Sequence, residues 1–348
     1  MLALLACLAA GLILPAGAGA ASLEPRGDKI FFGISDTGDP AHFGEFTTAV
    51  GKHPAVIETF RNWDSDFPES IERWQTAEAR PMLHITTADG NDGHEIITPR
   101  AIAFGYGDAY LIRLNKLFWA KKMRAYLRPL GEPNRCLNVY AAYDCEGKPR
   151  GGPHKPRWYR QAFRRMFVIL HGGGKRSLIN ARLADAGLRP LQSDVGGLPK
   201  APIAVVWSPL PAGSPGVRRN RPAHFYPGDD YVDWVGTDFY AEYPEWKALN
   251  HLYERFDNKP FVLTEWGFAS GDDSSFVGRL LSWVQRKERC KMIIYYQDFG
   301  SWSPYRIQNY PASLEVLKQA LASPRFPSYA PAPPQAPPPP PGGLSPVP

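Results

Sequence analysis

Short apolar runs alternate with longer amphipathic stretches along most of this chain, and that alternation limits the fold more than any other feature. Eight runs carry strand-forming residues: Ile30–Ile34, Ala55–Phe60, Met82–Ile85, Tyr126–Leu130, Ile203–Trp207, Val232–Val235, Phe261–Thr264 and Met292–Tyr296. Helical patterns lie between them at 41–51, 69–79, 108–122, 158–170, 246–255 and 275–286, and another at 313–322 follows the eighth run. Strand alternating with helix predicts parallel βα units. Eight such units with none left over predict an α/β fold closed into a (β/α)8 TIM barrel. The last four runs begin at 203, 232, 261 and 292, a spacing of 29 to 31 residues. The much longer interval from Leu130 to Ile203 predicts an insertion after the fourth strand, on the face where that strand ends.

Both ends of the chain depart from this pattern. Leu2 to Leu14 is apolar and is followed by Pro15 and Ala18-Gly19-Ala20. An apolar core with a small-residue cleavage site reads as a signal peptide over residues 1–22, too short to span a bilayer. Its start lacks the usual Lys or Arg. The expectation is export, to the medium or the cell envelope, without membrane insertion. Residues 323–348 are dominated by Pro, Ala and Gly and predict an extended, disordered tail. The barrel is then assigned to residues 23–322.

Composition narrows the chemistry. Cys136 and Cys145 stand nine apart in a polar segment, and in an oxidising compartment they predict a loop disulfide. Cys290, ahead of an apolar run, predicts a lone buried thiol. No Cys/His spacing suggests a metal site, and no motif calls for a cofactor. The net charge of +6 is mild, and the basic clusters at 121–124, 148–165 and 218–221 read as solvated faces. None interleaves with aromatics as a nucleic-acid surface would. A monomer is expected.

Two strand runs end in the same way, with a carboxylate beside glycine. They are Tyr126-Leu127-Arg128-Pro129-Leu130-Gly131-Glu132 and Phe261-Val262-Leu263-Thr264-Glu265-Trp266-Gly267. Strands four and seven of a barrel lie on roughly opposite sides, so Glu132 and Glu265 can aim across its mouth. Two carboxyl groups about 5–5.5 Å apart are what retaining glycoside hydrolysis requires, one as nucleophile and one as acid/base. The plain alternative is two rim glutamates paired with Arg or Lys. Aromatic residues collect near strand ends, and sugars stack their C–H faces on such rings. Trp266 and Trp302 are the candidates on this ground. His84, closing the third strand, is either a sugar contact or a satisfied core histidine.

Three other motifs lead nowhere. His171-Gly172-Gly173-Gly174 resembles an esterase oxyanion loop, but no Gly-x-Ser-x-Gly elbow accompanies it. Its glycines fit a helix end better. Lys175-Arg176 has Arg where a phosphate loop needs Ser or Thr, and His94-Glu95 lacks the second His of a zinc helix.

Arg128-Pro129-Leu130-Gly131-Glu132-Pro133-Asn134 resembles the acid/base motif of glycoside hydrolase family 26, the β-mannanase family of clan A. Tyr226-Pro227-Gly228-Asp229-Asp230-Tyr231-Val232-Asp233-Trp234-Val235-Gly236-Thr237-Asp238-Phe239-Tyr240 is similar to its strand-six signature. Val206-Trp207-Ser208-Pro209 and Gly107-Asp108-Ala109-Tyr110 resemble its fifth-strand ending and third-helix opening. The resemblance implies Glu132 as acid/base and Glu265 as nucleophile. It also implies that Tyr240 bonds the nucleophile, that Arg128 lies beneath both carboxylates, and that Trp302 floors the cleaved sugar. Asn134, closing the motif, joins the implied substrate contacts. Family members usually carry His where Gly131 stands, Met at Pro133 and Asn at Leu210.

Taken together these readings describe a secreted, retaining glycoside hydrolase acting on a β-linked polysaccharide, most nearly an endo-β-1,4-mannanase. The alternatives are a non-catalytic or weakly active carbohydrate-binding barrel, and a hydrolase or transglycosylase for another β-glycan such as β-1,3-xylan, mixed-linkage glucan or an envelope polysaccharide.

Overall fold

A computed structural model of the protein describes residues 23–90, 93–298 and 303–331. Eight parallel strands close into a barrel: β1 (Phe31–Ser35), β2 (Val56–Arg61), β3 (Arg80–Ile85), β4 (Ala125–Pro129), β5 (Ile203–Trp207), β6 (Trp234–Tyr240), β7 (Phe261–Gly267) and β8 (Cys290–Tyr295). Each strand pairs with its neighbours in sequence and β1 pairs with β8, which closes the ring. The eight runs read from the sequence are these eight strands. β6 and β7 extend further toward the barrel mouth than their apolar residues indicate, because both end in polar and aromatic positions.

Side-chain alternation along each strand sorts residues into two cores. Phe31, Val56, Met82, Tyr126, Ala204, Val206, Trp234, Val262, Met292 and Ile294 fill the lower barrel interior. Their outward neighbours, including Phe32, Ile57, Leu83, Leu127, Val205, Val235, Leu263 and Ile293, pack under the surrounding helices. A filled interior leaves only the upper layer, nearest the strands' C-terminal ends, for chemistry.

The helices are α1 (Pro40–Val50), α2 (Pro68–Thr76), α3 (Pro99–Phe104), α4 (Asp108–Ala120), α5 (Pro156–His171), α6 (Arg176–Asp185), α7 (Trp246–Arg255), α8 (Ser274–Arg286) and α9 (Pro311–Leu321). α3 and α6 escape the sequence pattern: one is barely two turns, and the other buries only Ile179 and Leu183. The glycines after His171 do end α5, with Gly172 at φ 60°. The long insertion divides in two. Its first part, 130–155, sits over the mouth, but α6 follows the far end of α5 and packs outside the barrel, away from the cleft.

The tail boundary is corrected. Residues 323–331 do not leave the domain: Phe326 is fully buried, and the carbonyl of Arg325 accepts from the Ile30 amide at 2.8 Å. Tyr329 stacks on His53 at 4.3 Å. Arg80, pointing down into the barrel base, donates to the carbonyls of Leu23 and Pro331, each at 3.0 Å. One guanidinium thus ties together the first and last described segments. The leader 1–22 and residues 332–348 lie outside the described residues. Among the described residues, no helix is long and apolar enough to cross a membrane.

If residues 323–331 belong to the fold, Phe326→Ala must cost what a buried Phe costs, about 3–5 kcal/mol. Urea denaturation should show this loss; a change near zero would return the segment to the tail.

Candidate active site

Arg128 is the centre of the upper layer. It points inward from β4, is fully buried, and spends its donors on four partners. Nε donates to the Ser208 hydroxyl at 2.7 Å. Nη1 donates to Glu58 at 3.0 Å and to Glu265 at 2.6 Å, and Nη2 donates to Asp238. Glu58, Asp238 and Glu265 lie within β2, β6 and β7 and Ser208 just past β5, so the guanidinium's planar fork bridges four other strands.

Three buried carboxyl groups therefore face one positive charge. That imbalance lies behind their titration. Burial, opposed by Arg128 and reinforced by Glu132, pushes Asp238 up from 3.8 to about 7. Glu58 is pushed up chiefly by burial, against the pull of Arg128. Glu265 is also raised, first by burial and then by Asp238, while Arg128 and Tyr240 pull it back. A hydrogen bond between the Asp238 and Glu132 carboxyl groups adds to the rise of Asp238.

Glu265 is aimed inward by an irregularity in β7. Thr237 pairs with Leu263 and the next residue, Asp238, pairs with Glu265, leaving Thr264 as an extra residue in the strand. Such a bulge resets the in-out alternation. Thr264 turns inward and donates to Asp238 at 2.6 Å, and Glu265 also faces the mouth. Its two oxygens are separately engaged, Oε1 by Arg128 at 2.6 Å and Oε2 by the Tyr240 hydroxyl at 2.8 Å. The side chain is 12% exposed, enough to meet a ligand from above.

Glu132 reaches the same cluster on strained backbone. Leu130 and Glu132 have φ of 51° and 47°, left-handed values that side chains disfavour. Five hydrogen bonds hold the turn. The Leu130 amide donates to Ile85 at 2.8 Å and the Glu132 amide to Ser208 at 2.7 Å. Tyr159 donates to the Leu130 carbonyl at 3.2 Å, Tyr140 to that of Gly131 at 2.6 Å, and Asn138 to that of Glu132 at 2.9 Å. The Cys136–Cys145 disulfide closes the loop beyond. Gly131 is required between them: a Cβ there would stand 2.7 Å from Arg128 Nε.

Several expected contacts are placed differently. Trp266 is fully buried on the outer side of β7, its ring 4.9 Å from Tyr295, because the Thr264 bulge turns it toward the helices. It is a core residue and not a sugar platform. Asn134 is also fully buried; its amide exchanges hydrogen bonds with the Leu210 backbone at 2.8 and 2.9 Å and joins the two loops. Arg128 bonds Glu265 but not Glu132, whose Oε2 accepts from Arg135 at 2.8 Å. Trp302 lies outside the described residues. His84 is inward and buried, against Phe60 at 5.2 Å, and neither ring nitrogen has a hydrogen-bond partner among the described residues. Burial, then Arg128 and Arg135, hold it well below the usual imidazole range, so it is neutral.

The aromatic residues beside Glu265 are instead Tyr240, Tyr296 and Tyr305. Tyr296 lies 6.1 Å from Tyr240 and 5.1 Å from Tyr305, and Phe60 carries the wall on toward His84. Tyr296 was legible by parity, as the inward residue two beyond Ile294.

Residues 206–308 match the family model described as Glycosyl hydrolase family 26, a segment that spans β6, β7 and Glu265. Solved structures of similar shape include a Bacillus subtilis mannanase, BCman, at 19% identity and TM-score 0.52, with 88% of each chain covered. GH26A from a Muricauda species gives 17% and 0.56, covering 88% of this chain and 94% of its own. A GH26 β-mannanase from Bacteroides ovatus gives 16% and 0.54, covering 86% and 90%. At such identities the likeness establishes the fold. No curated protein matches in sequence. The Tyr240–Glu265 contact joins β6 to β7, and the β4 turn closes with Gly131, beside which Arg128 fills the space a side chain would need.

Glu58, His84 and Glu265 bring one donor atom each within 4.8 Å of the others. A cation there would compete with Arg128, which already holds an oxygen of both glutamates.

The raised Asp238 has a sign that can be checked. Its protonated form is favoured on folding, so its contribution is complete below about 4 and is lost as pH climbs through about 7. Asp238→Asn, fixed in the neutral form, should flatten the stability–pH curve over that window in urea titrations. An unchanged slope would show that Asp238 is ionised throughout.

Proposed function

We propose that this protein is a family 26 glycoside hydrolase that cleaves a β-linked polysaccharide with retention of configuration, and that a mannan-type backbone is its first candidate substrate. The observation that carries the reading is the pair Glu132 and Glu265, brought to one cluster from the ends of β4 and β7 and differently held. Glu265 has both oxygens fixed by charged or hydroxyl donors, as a nucleophile aimed at one carbon needs. Glu132 lies at the end of a turn beside the buried acid Asp238.

In the first step Glu265 attacks the anomeric carbon as the glycosidic C–O bond breaks, and Glu132 gives its proton to the leaving oxygen. In the second, Glu132 takes a proton from water, the resulting hydroxyl bonds to the anomeric carbon, and Glu265 departs. Tyr240 and Arg128 hold the nucleophile in one orientation throughout, which lowers the entropic part of the barrel's task. Glu58 Oε2 and the two ring nitrogens of His84, buried without hydrogen-bond partners among the described residues, would take hydroxyls of the bound sugar. Tyr296 and Tyr305 supply the apolar face on which it rests.

The mannan assignment draws on the mannanases among the similar folds. Export, from the apolar leader and the Cys136–Cys145 bridge, and action as a monomer belong to the same proposal.

With an activated aryl β-mannoside, Glu265→Ala should abolish turnover. Glu132→Ala should slow it about 10²–10⁴-fold, with azide restoring the rate and yielding the β-azide. Full activity in either variant, or an α-azide, would overturn the mechanism.

A further inference from the structure

Among the described residues, Arg135 is the one cation ion-paired to the proposed acid/base, Glu132. Its Nη1 lies 2.8 Å from Glu132 Oε2, and the two side chains are 43% and 8% exposed. Its place is set by a closed loop: its amide donates to the Glu132 carbonyl at 3.0 Å, and the next residue, Cys136, donates to Ser214 at 2.7 Å and is disulfide-bonded. In this arrangement Oε2 of Glu132 accepts from a cation that itself reaches the cleft.

The rim around Arg135 is basic as well. The loops at 131–157 and 209–224 are joined by the Asn134, Ser214 and Asn220 hydrogen bonds. Together they hold eight Lys and Arg residues against three acidic ones, on a chain whose whole net charge is +6. Lys148, Arg218, Arg219 and Arg221 are exposed, and none forms an ion pair among the described residues. Most of the chain's excess positive charge therefore lies in these two loops, on the side of the mouth that carries Glu132. A neutral sugar gives a guanidinium little that water does not. A carboxylate matches its fork and binds it by charge-assisted hydrogen bonds.

We propose that Arg135 is the receptor for a carboxylate on the leaving-side sugar, so that the substrate is an acidic, uronate-bearing β-glycan. Binding of that carboxylate draws Arg135 off Glu132 and frees Oε2 for the leaving oxygen. The basic rim holds further uronates along the same chain. This inference rests on the glycosidase reading above and specifies its substrate class.

The test uses two substrates of identical linkage, a neutral β-1,4-mannan oligomer and the same oligomer oxidised to uronate at C6. kcat/KM is measured for each with the wild type, Arg135→Ala and Arg135→Lys, at low salt and at about 1 M salt, where the Debye length falls to about 3 Å. The wild type should prefer the oxidised oligomer by about tenfold or more, in line with one charge-assisted contact. Arg135→Ala should lose that preference, Arg135→Lys should keep part of it, and salt should weaken what the rim supplies. Thermal melts confirm that each variant is folded. Equal or better cleavage of the neutral oligomer by the wild type, abolished by Glu265→Ala, would overturn the inference while leaving the glycosidase intact. Preference retained in Arg135→Ala would overturn the role of Arg135. Cleavage of neither oligomer would overturn the glycosidase reading and this one with it.

Discussion

The upper barrel depends on a single buried guanidinium. Arg128 bridges carboxylates from β2, β6 and β7 and the hydroxyl that follows β5, and it does so with no exposed surface. Burying ions is costly unless each is paired and hydrogen-bonded. Here the compensation is incomplete, since three carboxyl groups share one cation. The excess appears as raised carboxyl pKa values, Asp238 to about 7 and Glu58 upward as well.

Much of the local backbone follows from accommodating Arg128. Gly131 is glycine because a β-carbon would meet the guanidinium, and the left-handed residues on either side are held by Tyr140, Tyr159 and Asn138. The bulge at Thr264 brings Glu265 to Nη1 and at the same time sends Trp266 outward. Strain at the β4 turn and irregularity in β7 are thus both spent on placing two carboxyl groups. A histidine in place of Gly131, common in glycoside hydrolase family 26, has no room here, and Arg135 reaches the Glu132 carboxyl instead.

The eight strands were legible because a parallel barrel needs continuous apolar runs at regular spacing, and this chain supplies them. The ends of β4 and β7 were legible because a carboxylate is costly at the end of such a run and marks a rim. What escaped the sequence was set by departures from period two. Simple alternation cannot show a one-residue bulge, so Trp266 read as a cleft residue when it belongs to the core. Asn134 sat in a motif associated with substrate, yet its amide is wholly used by the Leu210 backbone. Residues 323–331 looked like the start of a tail because proline-rich composition conceals a single anchoring Phe326. The basic clusters, read as solvated faces, acquire a direction only when the fold brings their loops together at one side of the mouth.

The central claim is that Glu265 and Glu132 act as nucleophile and acid/base over this cluster. The most direct measurement is the anomeric form of the first product, followed by proton NMR immediately after adding enzyme to a β-linked oligosaccharide. Release of the β-anomer before mutarotation is the result this account predicts. Release of the α-anomer would mean inversion, and would contradict it.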